Sequence, residues 1–177
     1  MFDPSKWFWQ ANDGRVFSGQ KQVQITENDE EYVAWLGDGF QASPWPRDIN
    51  GNQTTAALQD VLTLYGMFAD LIGYAANVRW RKEVGGISVG GIPVATDDRS
   101  KLLIASARIK ADSNPEFTTK WKTGSGFILL DAATIIALSD AVLAHVDACF
   151  ETEGEVLAAI DAGTITTRDD VDAAFAE

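Results

Sequence analysis

Hydrophobic and polar positions begin in strand-like alternation and later fall into helical spacing. Lys6-Trp7-Phe8-Trp9-Gln10 and Arg15-Val16-Phe17 flank Asn12-Asp13-Gly14, and two β-rich runs about Asp-Gly predict a hairpin, because that turn needs a positive φ. Val23-Gln24-Ile25-Thr26 alternates and adds a third strand. Residues 28–37 predict one short helix, with Asn28 or Asp29 as cap, Glu30 and Glu31 in the first turn, and Gly37 after the last apolar residue. Tyr32, Trp35 and Leu36 share a face at helical spacing and are expected to cover the strands.

Pro44-Trp45-Pro46 and Asn50-Gly51 then mark a loop, and a module boundary is expected near residue 53. From Thr54 to about Lys82, Leu58, Val61, Tyr65, Phe68, Ile72 and Ala75 recur at three and four, a heptad-like seam. It reads either as one rod or as two helices broken at Gly66, since Gly66 and Gly73 each cost about 1 kcal/mol of helix propensity. Residues 85–96 predict a second hairpin about Gly90-Gly91, and a helix opens at Thr96 or Asp97 and runs to about Lys110. Residues 121–130 predict a third hairpin about Gly124-Ser125-Gly126. Asp131 caps a long amphipathic helix, expected from Ala132 to about Glu153. Its seam is Ile135, Leu138, Val142, His145 and Cys149, with a second stripe at Val146 and Phe150. Thr166 or Thr167 starts a last short helix.

These elements predict an α+β fold in three parts: a small aromatic β-rich module over residues 1–53, a helical connector over 54–82, and an α+β domain over 83–177. Composition narrows the chemistry. The 177 residues are 46% hydrophobic with six Trp, enough to build a core, and carry 26 acidic against 14 basic side chains. Such acidity disfavours a nucleic-acid partner. A single Cys excludes an intrachain disulfide or a Cys-rich zinc site. The start lacks a signal-peptide pattern, and no unbroken apolar run nears the roughly 20 residues of a membrane span, so a soluble cytosolic product without membrane contact is expected.

The charge is unevenly placed. Residues 1–64 carry 4 basic and 9 acidic side chains, residues 65–126 carry 9 and 6, and residues 127–177 carry 1 and 11. A cationic middle thus precedes an acidic end.

Candidate chemistry is sparse. His145, Cys149 and Glu153 stand one turn apart on one helix, but zinc needs four ligands and no second cluster has ligand spacing, so packing is the expected role. A Cys149–His145 nucleophile pair lacks a third, orienting group. Asp97-Asp98 reads as helix capping, the run from Asp48 to Asn52 as a turn, and the glycines at 85, 86, 90 and 91 fit no phosphate loop. Arg79-Trp80-Arg81-Lys82 ends a helix, where cations complement its dipole. The expectation is therefore no catalytic residues, no metal and no cofactor.

Several strings carry a resemblance. Trp80-Arg81-Lys82-Glu83-Val84-Gly85-Gly86-Ile87, Ile92-Pro93-Val94-Ala95-Thr96-Asp97-Asp98-Arg99-Ser100, Trp121-Lys122-Thr123 and Leu143-Ala144-His145-Val146-Asp147-Ala148-Cys149-Phe150 resemble a domain of unknown function that recurs in tailed-bacteriophage proteins and is associated with tail genes. This likeness spans roughly residues 65–176. The front, residues 29–39 leading to Pro44-Trp45-Pro46, resembles segments of tail-fibre assembly proteins. The resemblance implies a phage tail role, in the virion or during assembly in the host bacterial cytoplasm, and no catalytic residues. With the aromatic content, the seam and the wide apolar stripe of the long helix, it makes a non-enzymatic protein that binds the tail fibre or baseplate the expected function, as structural adaptor or as fibre-assembly chaperone. The partner-binding residues expected are Trp7, Trp9, Trp35, Trp45, Tyr65, Phe68 and Ile72, with a trimer of this chain as a further use of the seam. A carbohydrate-binding module using the N-terminal tryptophans is the alternative.

Overall fold

In the computed structural model, which describes residues 3–123 and 126–176, the N-terminal alternation folds into a four-stranded sheet of order β3-β2-β1-β4. β1 (Phe8–Gln10) and β2 (Val16–Ser18) form the expected hairpin with Trp9 opposite Phe17, and Gly14 in its turn takes φ 89°. β3 (Val23–Ile25) extends the meander antiparallel. α1 (Glu30–Gly37) is capped by the Asp29 carboxylate, which accepts from the Glu31 and Tyr32 amides. β4 (Ser43–Pro44), unforeseen from the sequence, adds parallel to β1 on its free side.

Period-two alternation gives this sheet two apolar faces. One carries Phe8 and Val16 and is covered by Tyr32 and Trp35 of α1. The other carries Trp9 and Phe17 and packs against Trp45, Met67 and Ala69, and against Leu58 and Leu62 of α2 (Thr55–Thr63). The helical connector is thus corrected as a separate part, while the second of its two readings, a pair of helices broken at Gly66, holds. Its first helix belongs to the N-terminal core, and the seam is broken: after α2 the chain turns through Gly66 at φ 67° and resumes as α3 (Leu71–Glu83). Tyr65 and Phe68 lie in that turn rather than on a rod.

The chain divides into two compact units, the residues up to Tyr74 with Thr166–Arg168, and Ala75–Ile165 with the residues from Asp169 on. The expected boundary at 53 moves accordingly. In the second unit, β5 (Ile87–Val89) and β6 (Ile92–Val94) form a hairpin whose turn places Gly90 and Gly91 at φ 56° and 81°. α4 (Asp98–Ser113) follows, capped by Asp97. β7 (Thr118–Thr123) and β8 (Gly126–Asp131) form the third hairpin; Gly124 and Ser125, the expected turn, lie outside the described residues. α5 (Ala132–Asp161) is capped by Asp131 and runs eight residues beyond the expected end at Glu153, through Gly154. α6 (Arg168–Ala176) closes the chain. Ile104, Ala111, Leu130, Ile135, Leu138 and Val142 share one core with Trp121 and Ile128. By length and hydropathy α5 could cross a bilayer; here it packs on α4 and the hairpins.

A charged knot fixes these pieces. Glu83, at the end of α3, is 7% exposed. Its carboxylate accepts from Arg79 and from Lys101 of α4, and Arg79 Nε donates to Glu153 of α5 at 3.1 Å. Its backbone carbonyl accepts the Thr96 hydroxyl at 2.5 Å, and that oxygen in turn accepts the Gly86 amide at 2.9 Å. The Lys101 ammonium, aided by Arg79, holds the Glu83 carboxyl below the usual carboxylate range against the opposing effect of burial.

Two stability predictions follow from local geometry. A Cβ at Gly19 would lie 2.0 Å from the Pro4 carbonyl oxygen, whereas one at Gly154 meets nothing within 4 Å. Gly19→Ala should cost about 3 kcal/mol, and Gly154→Ala, inside α5, should stabilise by up to about 1 kcal/mol, both read by urea unfolding. Glu83→Gln should cost about 2 kcal/mol at pH 7, below the 3–5 typical of a broken buried pair, because Arg79 keeps Glu153 and Lys101 keeps Asp98. A lowered folded pKa confers stability above the ordinary Glu value of about 4.3 that is lost as pH falls through the folded value. The gap between wild type and Glu83→Gln should therefore narrow at pH 3, and an undiminished gap would show that Glu83 acts by packing alone.

Candidate functional site

The seven residues expected to bind a partner separate into different environments. Trp9 and Trp45, 3% and 1% exposed, are core residues, and their assignment to a binding surface is corrected. Aromatic residue type says nothing about which side of a strand faces inward. Trp45 is held further by its indole N–H, which donates to the Thr54 carbonyl at 2.8 Å, and by the Arg15 guanidinium 4.8 Å from its ring centre. Phe68 is half-buried, with Tyr74 edge-on at 5.5 Å, and its carbonyl accepts from Arg168 at 3.2 Å. Tyr65 and Ile72 are exposed.

Trp7 and Trp35 meet, and they form the strongest candidate surface. Their rings are edge to face at 5.1 Å, and Trp7 donates its indole N–H to the Ser43 hydroxyl at 2.9 Å. Trp35 also packs on Phe8 at 5.0 Å, which ties it to the sheet. Tyr32 lies near-parallel to it at 6.4 Å, and Phe40 stacks on it at 5.2 Å with 13° between planes, yet remains 48% exposed. Val33 and Leu36 of α1 are exposed beside this stack in sequence, so Leu36, expected to cover the strands, does not. The result is an aromatic shelf: Trp7 and Trp35 are held against the core, and Phe40, stacked on Trp35, presents the exposed ring. Phe40 was missed because it follows the helix, past Gly37-Asp38-Gly39, outside any periodic pattern. The only local signal was an aromatic residue immediately after a helix-ending glycine pair.

The lone imidazole and thiol have structural surroundings. His145 Nε2–H donates to the Lys82 carbonyl at 3.1 Å, which ties α5 to the end of α3. Cys149 Sγ is 3.9 Å from that same nitrogen, and burial raises the thiol pKa and keeps it protonated. An Nε2 that carries its proton toward a carbonyl is not a base for that thiol. Glu153 is engaged by Arg79. Among the described residues no three His, Cys, Asp or Glu side chains gather as metal ligands would. Asp97 and Asp131 act as caps, their carboxyls lowered chiefly by the Ser100 and Thr134 hydroxyls. Asp48 closes its turn by accepting from the Asn50 and Asn52 amides, both at 2.9 Å.

Comparison with curated proteins and with solved structures returns no match. The family model described as Domain of unknown function (DUF4376) matches residues 68–175, from the turn before α3 to the last turn of α6. That span is more than half of the chain, and the protein belongs to the DUF4376 family.

Proposed function

We propose that this chain is a non-enzymatic bacteriophage tail protein that binds the tail fibre or baseplate, either as an adaptor resident in the virion or as a fibre-assembly chaperone. The observation that carries the binding role is the aromatic shelf, in which Phe40 stacks on Trp35 and stays half-exposed while the tryptophan beneath is anchored in the core. A pre-positioned aromatic surface binds another chain with little loss of side-chain freedom, and anchors of this type dominate protein interfaces. The tail assignment rests on the likeness of residues 65–176 and 29–46 to tail-associated sequences. The acidic closing segment and the cationic middle supply complementary surfaces for steering a charged partner. A carbohydrate-binding module is the second reading, favoured by the same exposed stack, since the face of a sugar ring packs on aromatic rings.

Three readouts separate these roles. In co-expression with the tail-fibre and baseplate proteins of the phage that encodes it, this chain should capture one of them. Phe40→Ser with Val33→Ser should then cut capture at least tenfold while the circular dichroism is unchanged. Undiminished capture would remove the shelf from the interface, and glycan-array binding lost in the same variant would transfer the function to the sugar reading. Mass spectrometry of purified virions divides the two tail roles: stoichiometric presence supports the adaptor, and absence from particles supports the chaperone.

A further inference from the structure

The second unit holds a groove of about 890 Å³ between the β5–β6 hairpin, α4 and β7. Its lining identifies which part of β7 it follows. Thr119, Lys120, Trp121, Lys122 and Thr123 all border it, and no residue of β8 does. A groove over the face of a strand touches alternate residues, whereas one along its edge touches consecutive residues. The groove therefore runs along the edge of β7 that β8 does not occupy. In the described residues β7 pairs with β8 alone, so this edge has no strand beside it.

The walls suit an extended chain. Gly85, Gly86, Ser88, Ala95 and Ala107 contribute little or no side chain, which leaves the slot open along its length. The five β7 residues span about 16 Å at 3.3 Å each. Charge then selects the occupant. The lining contains no acidic residue, and its only charges are Lys120 and Lys122, neither ion-paired among the described residues, although the chain as a whole is strongly acidic. A second copy of β7 would bring lysines against lysines, so self-pairing at this edge is disfavoured. We propose that the groove is a strand-addition site: an extended, acidic segment of a different protein pairs its backbone with β7 from Thr119 to Lys122, along the edge that β8 does not occupy, with its carboxylates against Lys120 and Lys122. Main-chain hydrogen bonds supply affinity that depends little on sequence, and the two lysines supply the preference for acid. The inference concerns a surface separate from the aromatic shelf and holds whether or not the protein serves a phage tail.

The test uses the full chain and three fluorescein-labelled octapeptides: alternating Glu and Val, alternating Lys and Val, and the Glu-Val peptide with Pro at two central positions, which cannot pair as a strand. Anisotropy should show binding of the Glu-Val peptide at least tenfold tighter than of either control. Lys120→Glu with Lys122→Glu should remove that binding, with Lys120→Ala and Lys122→Ala intermediate, and hydrogen exchange should show new amide protection over residues 118–123. Equal binding of the acidic and Pro-containing peptides would show plain polyanion attraction and overturn strand addition. So would failure of the Glu-Val peptide to bind better than the Lys-Val peptide, or tight binding without protection at β7.

Discussion

The second unit depends on one buried carboxylate. Glu83 takes two cations, Arg79 from its own helix and Lys101 from α4, while Arg79 reaches on to Glu153 of α5. Removing such groups from water is costly, and the arrangement is stable only because every member has partners. Charge-assisted hydrogen bonds fix angle as well as distance, which apolar contacts do not. The backbone carbonyl of the same residue holds Thr96, and Thr96 holds the Gly86 amide at the mouth of the β5–β6 hairpin. The knot therefore sets where that hairpin stands, and with it one wall of the groove beside β7. The imidazole of His145, bonded to the neighbouring Lys82 carbonyl, reinforces the same junction from α5.

The N-terminal unit solves a different problem. A sheet of three- and two-residue strands cannot stand alone, and each of its faces is closed by a helix, α1 on one and α2 on the other. Aromatic side chains supply most of the bulk on both faces. The unit has more of them than its interior uses, and the surplus, Phe40 stacked on the half-buried Trp35, forms the shelf. The core and the proposed binding surface thus draw on one residue type, which is why Trp9 and Trp45 could not be told from Trp7 and Trp35 by sequence.

What the sequence revealed was local. The turns at Asn12-Asp13-Gly14 and Gly90-Gly91 require positive φ, and the caps Asp29, Asp97 and Asp131 act within three residues, so each could be read where it stands. What it hid was long-range. β4 is two residues pairing with a strand more than thirty positions earlier, and nothing in Ser43-Pro44 announces that partner. α5 continues through Gly154 because the run from Glu155 to Asp161 keeps good helix formers and buries Val156, which outweighs one glycine, a balance that propensity alone misjudges. Tyr65 and Phe68 keep helical spacing across a turn that is not helical, so the seam was a coincidence of count. The Lys-Trp-Lys alternation of β7 was legible as a strand, but that its far edge is open is a property of topology.

The proposed binding role places one anchored, half-exposed aromatic stack against another chain. A reconstruction of the chain bound to the tail-fibre or baseplate protein with which it co-purifies would show what covers that stack. Phe40, stacked on Trp35, should lie buried under side chains of that partner. A complex in which Phe40 remains in solvent would remove the stack from the interface.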